Sequence, residues 1–135
     1  MISNPTTESA RANAHIAFEL IDEAHPQLVI VEFLSHAIAD PSHAAELSQQ
    51  LASLIRPELP KQFVLDFQNV RLMSSTAFGA VASFILKVRQ EGGQVKICNM
   101  DEFVRFGADV IRLGDYAKFA TSRNSAIEAF LDHTD

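Results

Sequence analysis

A single cysteine, Cys98, stands among the 135 residues. No internal disulfide can form, and one thiol cannot build a zinc site. Basic charge is scarce as well: Lys and Arg number 11 against 17 Asp and Glu, a formal charge of −6, and the basic residues do not cluster along the chain. That balance argues against nucleic acid and anionic membrane surfaces as partners. A basic patch on another protein suits it better. No segment approaches the ~20 apolar residues that span a bilayer, and residues 1–14 are polar, without the apolar stretch of an export signal. The expected setting is the reducing cytoplasm.

Catalytic patterns are missing too. The histidines, His15, His25, His36, His43 and His133, fall mostly in expected loops and ends with no metal-ligand spacing such as H-E-x-x-H. They read as solvated surface groups. Ser74 and Ser75 lack the flanking glycines of a G-x-S-x-G elbow, and Gly92-Gly93 runs into Gln94-Val95 rather than the Lys-Ser of a phosphate-binding loop. The sequence therefore offers no catalytic residue, no metal ligand set and no cofactor motif. Cys98, beside Ile97 in an expected strand, reads as a buried small hydrophobe.

What remains is an ordinary globular composition, 47% hydrophobic and 21% charged, of a length that fits one domain. Residues 1–13 lack periodicity and read as a flexible tail preceding a domain over 14–135. Ile16, Phe18 and Leu20 alternate with other residues; a break containing Pro26 follows, then the apolar run 28–34, a pattern for an opening β-hairpin. Asp40-Pro41 is a helix start, N-cap then first helical position, and Leu47, Leu51, Leu54 and Ile55 give that helix an apolar face before Pro57 and Pro60. A strand over 63–67 is apolar except for Asp66, a carboxylate that either serves as a ligand or, the favoured reading, bonds a neighbouring turn.

Next come three hydroxyls, Ser74-Ser75-Thr76, and a helix with Phe78, Val81, Ala82, Ile85 and Val88 on one stripe, stopped by Gly92-Gly93. A strand over 95–98 leads to Asn99 and Glu102, which resemble a capping box. The third helix carries Phe103, Phe106, Val110 and Leu113. A short strand over 118–121 and a last helix from Ser122, with Ile127 and Phe130, complete the order β-β-α-β-α-β-α-β-α. The fold class is α/β, a single domain with a mixed sheet and about four helices. Leu47, Leu51, Val81, Ile85 and Phe103 are expected to be buried.

The hydroxyl cluster is the chemically distinctive feature. Free N–H groups and the dipole favour negative charge at a helix N-terminus. One hydroxyl suffices as a cap, so three leave at least one free. Local physics alone leaves open whether the cluster only caps the helix or is also modified or bound.

At these residues the chain resembles the STAS domain family of bacterial anti-sigma factor antagonists. That family's central stretch is a strand with Asp, a short loop, then Asp-Ser-Ser/Thr-Gly-Leu-Gly opening a helix. Asp66 matches the strand Asp, Ser75 the phosphorylated Ser, Thr76 the next hydroxyl, Phe78 the apolar residue and Gly79 the last glycine. Asp40, Leu47 and Leu51 match an earlier segment. The glycine pair after the second helix and a final helix with Ala126 and Ala129 also fit. The likeness covers about 15–131 and departs at three places: Ser74 stands for Asp, Ala77 for Gly and Ala37 for Gly.

The resemblance implies a cytoplasmic regulator without catalytic activity or cofactor, binding an anti-sigma factor that is a serine protein kinase and switched off by phosphorylation of Ser75. The implied partner surface is Asp40, Ser74, Ser75, Thr76, Ala77 and Phe78. Two alternatives stand beside it: a constitutive, never phosphorylated STAS interaction module, and a nucleotide or small-anion sensor at the helix start.

Overall fold

The computed structural model describes residues 14–21 and 27–131. The expected tail, the turn of the opening hairpin, His25 and His133 lie outside them. In chain order the elements are β1 (Ile16–Ile21), β2 (Leu28–Phe33), β3 (Ala37–Ile38), α1 (Pro41–Ala52), β4 (Gln62–Asp66), β5 (Leu72–Met73), α2 (Ser75–Gln90), β6 (Gln94–Cys98), α3 (Glu102–Val110), a 3-10 turn (Leu113–Asp115), β7 (Lys118–Ala120) and α4 (Arg123–Leu131). The main sheet has the order β1-β2-β4-β6-β7, with β1 and β2 antiparallel and every later neighbour parallel. This is the mixed sheet and opening hairpin expected from the sequence.

Side chains alternate across the pleat, and both faces are covered. Val29, Val31, Phe33, Phe63, Leu65, Val95 and Ile97 join Leu47 and Leu51 of α1 and Val81, Ile85 and Val88 of α2 in the larger core. Leu28, Ile30, Val64 and Cys98 face the other way, onto Ala126 and Phe130 of α4. Central strands buried on both faces read as continuous apolar runs, as β2 and β4 do.

The helix ends follow the local chemistry. The Asp40 carboxylate accepts from the Ser42 N–H at 3.2 Å, capping α1. Helix α2 ends in a two-bond glycine motif: the N–H of Gly92, at φ +87°, donates to the Arg89 carbonyl at 3.0 Å, and the Gly93 N–H to the Val88 carbonyl at 2.9 Å. A Cβ on Gly93 would collide with the Lys61 carbonyl, so only glycine fits there.

Three features depart from the sequence reading. The pair β3–β5 is a separate two-stranded sheet, too short for a periodic signal. Asp101, not Asn99, caps α3, accepting from the Val104 N–H at 2.9 Å; Asn99 adopts φ +60° and turns its amide to Asp66. Helix α3 also packs by a different face. Val104 and Ala108 are buried, while Phe103, Phe106 and Val110 are 68%, 70% and 68% exposed. The reason is Gly107, where a Cβ would sit 2.6 Å from the Phe78 ring. Small residues let α3 approach α2 closely, and that contact turns the large residues outward.

Candidate functional site

The pair β3–β5 brings the first helix start to the hydroxyl cluster. The Ser74 N–H donates to the Ile38 carbonyl at 3.0 Å, and β5 runs directly into Ser74. Asp40, two residues beyond Ile38, therefore lies at the same end of the molecule as Ser74, Ser75 and Thr76.

Within the cluster the three hydroxyls divide the work. Ser74 has extended backbone angles, φ −78° and ψ 166°, and its Oγ accepts from the Ala77 N–H at 3.1 Å: it is the N-cap. Ser75 and Thr76 are the first two helical residues, and both are exposed. Neither hydroxyl has a hydrogen-bond partner among the described residues, and their N–H groups have no intrahelical acceptor. Ala77 and Phe78, expected on the partner surface, are buried. They face inward, Phe78 beneath α3, because the first turn of α2 rests on the core through them. The accessible part of the expected surface is Asp40, Ser74, Ser75 and Thr76.

Asp66 proves structural in its bonding. It is buried, and one carboxylate oxygen accepts from the Gln68 N–H and the Asn99 amide, both at 3.0 Å; the other accepts from Arg123 Nε at 2.9 Å. The carboxylate thus ties the ends of β4 and β6 to the start of α4. Cys98 lies next to this knot, and burial together with the Asp66 charge pushes its thiol up to about 12, Arg123 offsetting part of it. A thiol so disfavoured as thiolate is chemically inert at neutral pH.

His15 corrects the surface-histidine expectation. It is buried, with Nδ1 2.8 Å from Ser35 Oγ, Nε2 2.9 Å from Glu46 Oε1, and its backbone N–H donating to Gln50 Oε1 at 2.8 Å. These bonds fasten the start of β1 to α1. The sequence carries no signal for this, because the partners lie 20 to 35 positions away. His36, exposed, bonds the Asn69 carbonyl at 2.9 Å. Among the described residues no group of three or more His, Cys, Asp or Glu could hold a metal ion, and no helix is long and apolar enough to cross a membrane.

The exposure of the α3 stripe also escaped the sequence reading. Helix α3 packs on the first turn of α2 through Gly107 and Phe78, and on β5, which leads into Ser74. Its large residues Phe103, Phe106 and Val110 are exposed, as is Leu72 of β5. The stripe is legible in the sequence, but the face that the core takes is set by Gly107 against Phe78.

The model of the STAS domain matches residues 23–126. A comparison with curated protein sequences finds no significant match. Among solved structures, an anti-sigma factor antagonist from Mycobacterium paratuberculosis is similar, with a TM-score of 0.67 at 20% identity over 95% of this chain and 97% of that one. The phosphorylated form of the Bacillus cell fate determinant SpoIIAA gives 0.61 at 17% identity, over 84% and 99%. A variant of RsbS from Moorella thermoacetica gives 0.68 at 11%, over 88% and 97%. At these identities the likeness establishes the fold.

Proposed function

The chain belongs to the STAS domain family, and from that premise we propose that it is a cytoplasmic, non-catalytic regulator of the anti-sigma factor antagonist type. It binds an anti-sigma factor that is a serine protein kinase, and phosphorylation of Ser75 releases it. The observation that carries this reading is the division of labour in the first turn of α2: Ser74 does the capping, which leaves Ser75 exposed and unbonded. A phosphate there adds about −1.5 to −2 charges at a helix end that accepts them, while a fitted partner surface suffers repulsion and desolvation. The free protein needs no refolding.

Ser74 in place of the family's Asp is the feature that favours the constitutive alternative. Ser and Asp cap helices about equally well, so the exchange removes a charge and keeps the geometry. The exposed apolar stripe on α3 supplies the other half of the surface. Three large side chains exposed together on one short helix mark an interaction face, on the helix that packs against the first turn of α2.

The test is incubation with anti-sigma-type serine kinases from the same genome and ATP, followed by mass mapping. Label on Ser75, abolished in Ser75→Ala, supports the proposal; label on another residue with Ser75 bare refutes the assignment. No label with any such kinase moves the reading to a constitutive STAS interaction module.

A further inference from the structure

The charges around the exposed stripe of α3 follow a symmetric pattern. Glu102 and Arg112 stand five positions either side of Gly107, and Arg105 and Asp109 two positions either side. Each pair sets an acid against a base, so the pattern read backwards is the complement of the pattern read forwards. A helix of this kind matches an antiparallel copy of itself. A two-fold axis at Gly107 sets Glu102 of one copy opposite Arg112 of the other, and Arg105 opposite Asp109, each contact made twice.

The charges are placed to be used in that way. At about 100° per residue, Glu102, Arg105 and Asp109 lie along one flank of the stripe formed by Phe103, Phe106 and Val110, and Arg112 follows just past the helix end. Like flanks meet in a two-fold antiparallel pair. All four charged residues are exposed, and Glu102 engages no described residue. Arg105 and Arg112 each spend Nε on a carboxylate of their own chain, Asp109 and Asp115, at 3.1 Å, and each carries further N–H donors. The antiparallel arrangement also opposes the two helix dipoles.

A second copy is the occupant that the composition favours. The segments of this chain outside the described residues, 1–13, 22–26 and 132–135, hold two large apolar residues, Met1 and Ile2. Those are too few to cover two phenylalanines and a valine. A charge of −6 opposes random self-association, but residues 101–112 hold three acids and two arginines, so this face is nearly balanced.

We propose that α3 is a self-association surface: two copies pair antiparallel through Phe103, Phe106 and Val110, in register about Gly107. One short helix from each copy makes a small interface, so the dimer is weak and exchanges. The pairing does not rest on Ser75, and a partner that takes the stripe competes with the second copy.

Light scattering and amide NMR of the whole protein, over a concentration series up to about 1 mM, test this. The expected result is a monomer–dimer equilibrium with concentration-dependent shifts centred on residues 102–112. Phe106→Asp, at an exposed position, should keep the parental melt and weaken the dimer at least about thirtyfold, as for a lost central anchor. Glu102→Lys and Arg112→Glu should each weaken it about fivefold, and the variant carrying both should return to the parental equilibrium. A merely structural role of either residue would not be rescued by the exchange. A monomer at every concentration, shifts centred on another surface, unchanged dimerisation in Phe106→Asp, or a double variant weaker than either single one would each overturn the proposal.

Discussion

Helices α2 and α3 touch at one point and solve opposite problems. Helix α2 buries its large residues, Phe78, Val81, Phe84, Ile85 and Val88, and shows solvent a start made of hydroxyls. Helix α3 buries Val104 and Ala108 and shows solvent two phenylalanines and a valine. Both carry an apolar stripe at helical spacing, so the stripe alone does not say which face the core takes. Depth of contact decides. Where α2 has room over the sheet for large side chains, α3 must pass close to Phe78, and only Gly107 allows it. The apolar face left over on α3 is exposed.

The largest effects should separate the two stripes. Ile85→Ala removes a fully buried side chain and should cost about 2–5 kcal/mol, whereas Phe106→Ala should change stability by no more than about 0.5 kcal/mol. Denaturant unfolding of both variants checks this, and comparable losses would break the contrast between the helices.

The two helical glycines sharpen it. Gly107→Ala places a methyl 2.6 Å from the Phe78 ring and should destabilise by about 1–3 kcal/mol through overpacking. Gly79→Ala meets nothing within 4 Å and should stabilise by about 0.5–1 kcal/mol through lost chain entropy. Thermal melts of the two variants should therefore move in opposite directions.

A smaller effect distinguishes neighbouring hydroxyls. Ser74→Ala removes the cap and should cost about 1 kcal/mol, while Ser75→Ala, which loses no bond within the fold, should stay within about 0.5 kcal/mol of the parent. Equal losses would mean that Ser75, too, is occupied in holding the helix.

The fold was legible because its signals are local. Asp40-Pro41, Ser122 and the Gly92-Gly93 stop each act within a few residues, and the apolar runs of β2 and β4 are continuous. The resemblance at Asp66 to Gly79 pointed to the helix start proposed as the switch, and there the Ser74 side chain forms the cap. What was not legible depends on contacts distant in sequence. The orientation of α3 is set by Phe78, 29 positions before Gly107, and the burial of His15 by Ser35, Glu46 and Gln50. Asn99 looked like a cap because Glu102 follows at the right spacing, but the buried Asp66 carboxylate claims its amide.

The central claim is that charge at Ser75 controls an interface without disturbing the fold. The direct measurement is the affinity of the labelling kinase, in its nucleotide-bound form, for the parent protein, Ser75→Ala and Ser75→Asp, with a thermal melt of each. The account predicts three closely similar melts, near-parental affinity for Ser75→Ala and at least about tenfold weaker binding for Ser75→Asp, the equivalent of ~1.4 kcal/mol. Equal affinity for all three, at equal stability, would contradict it.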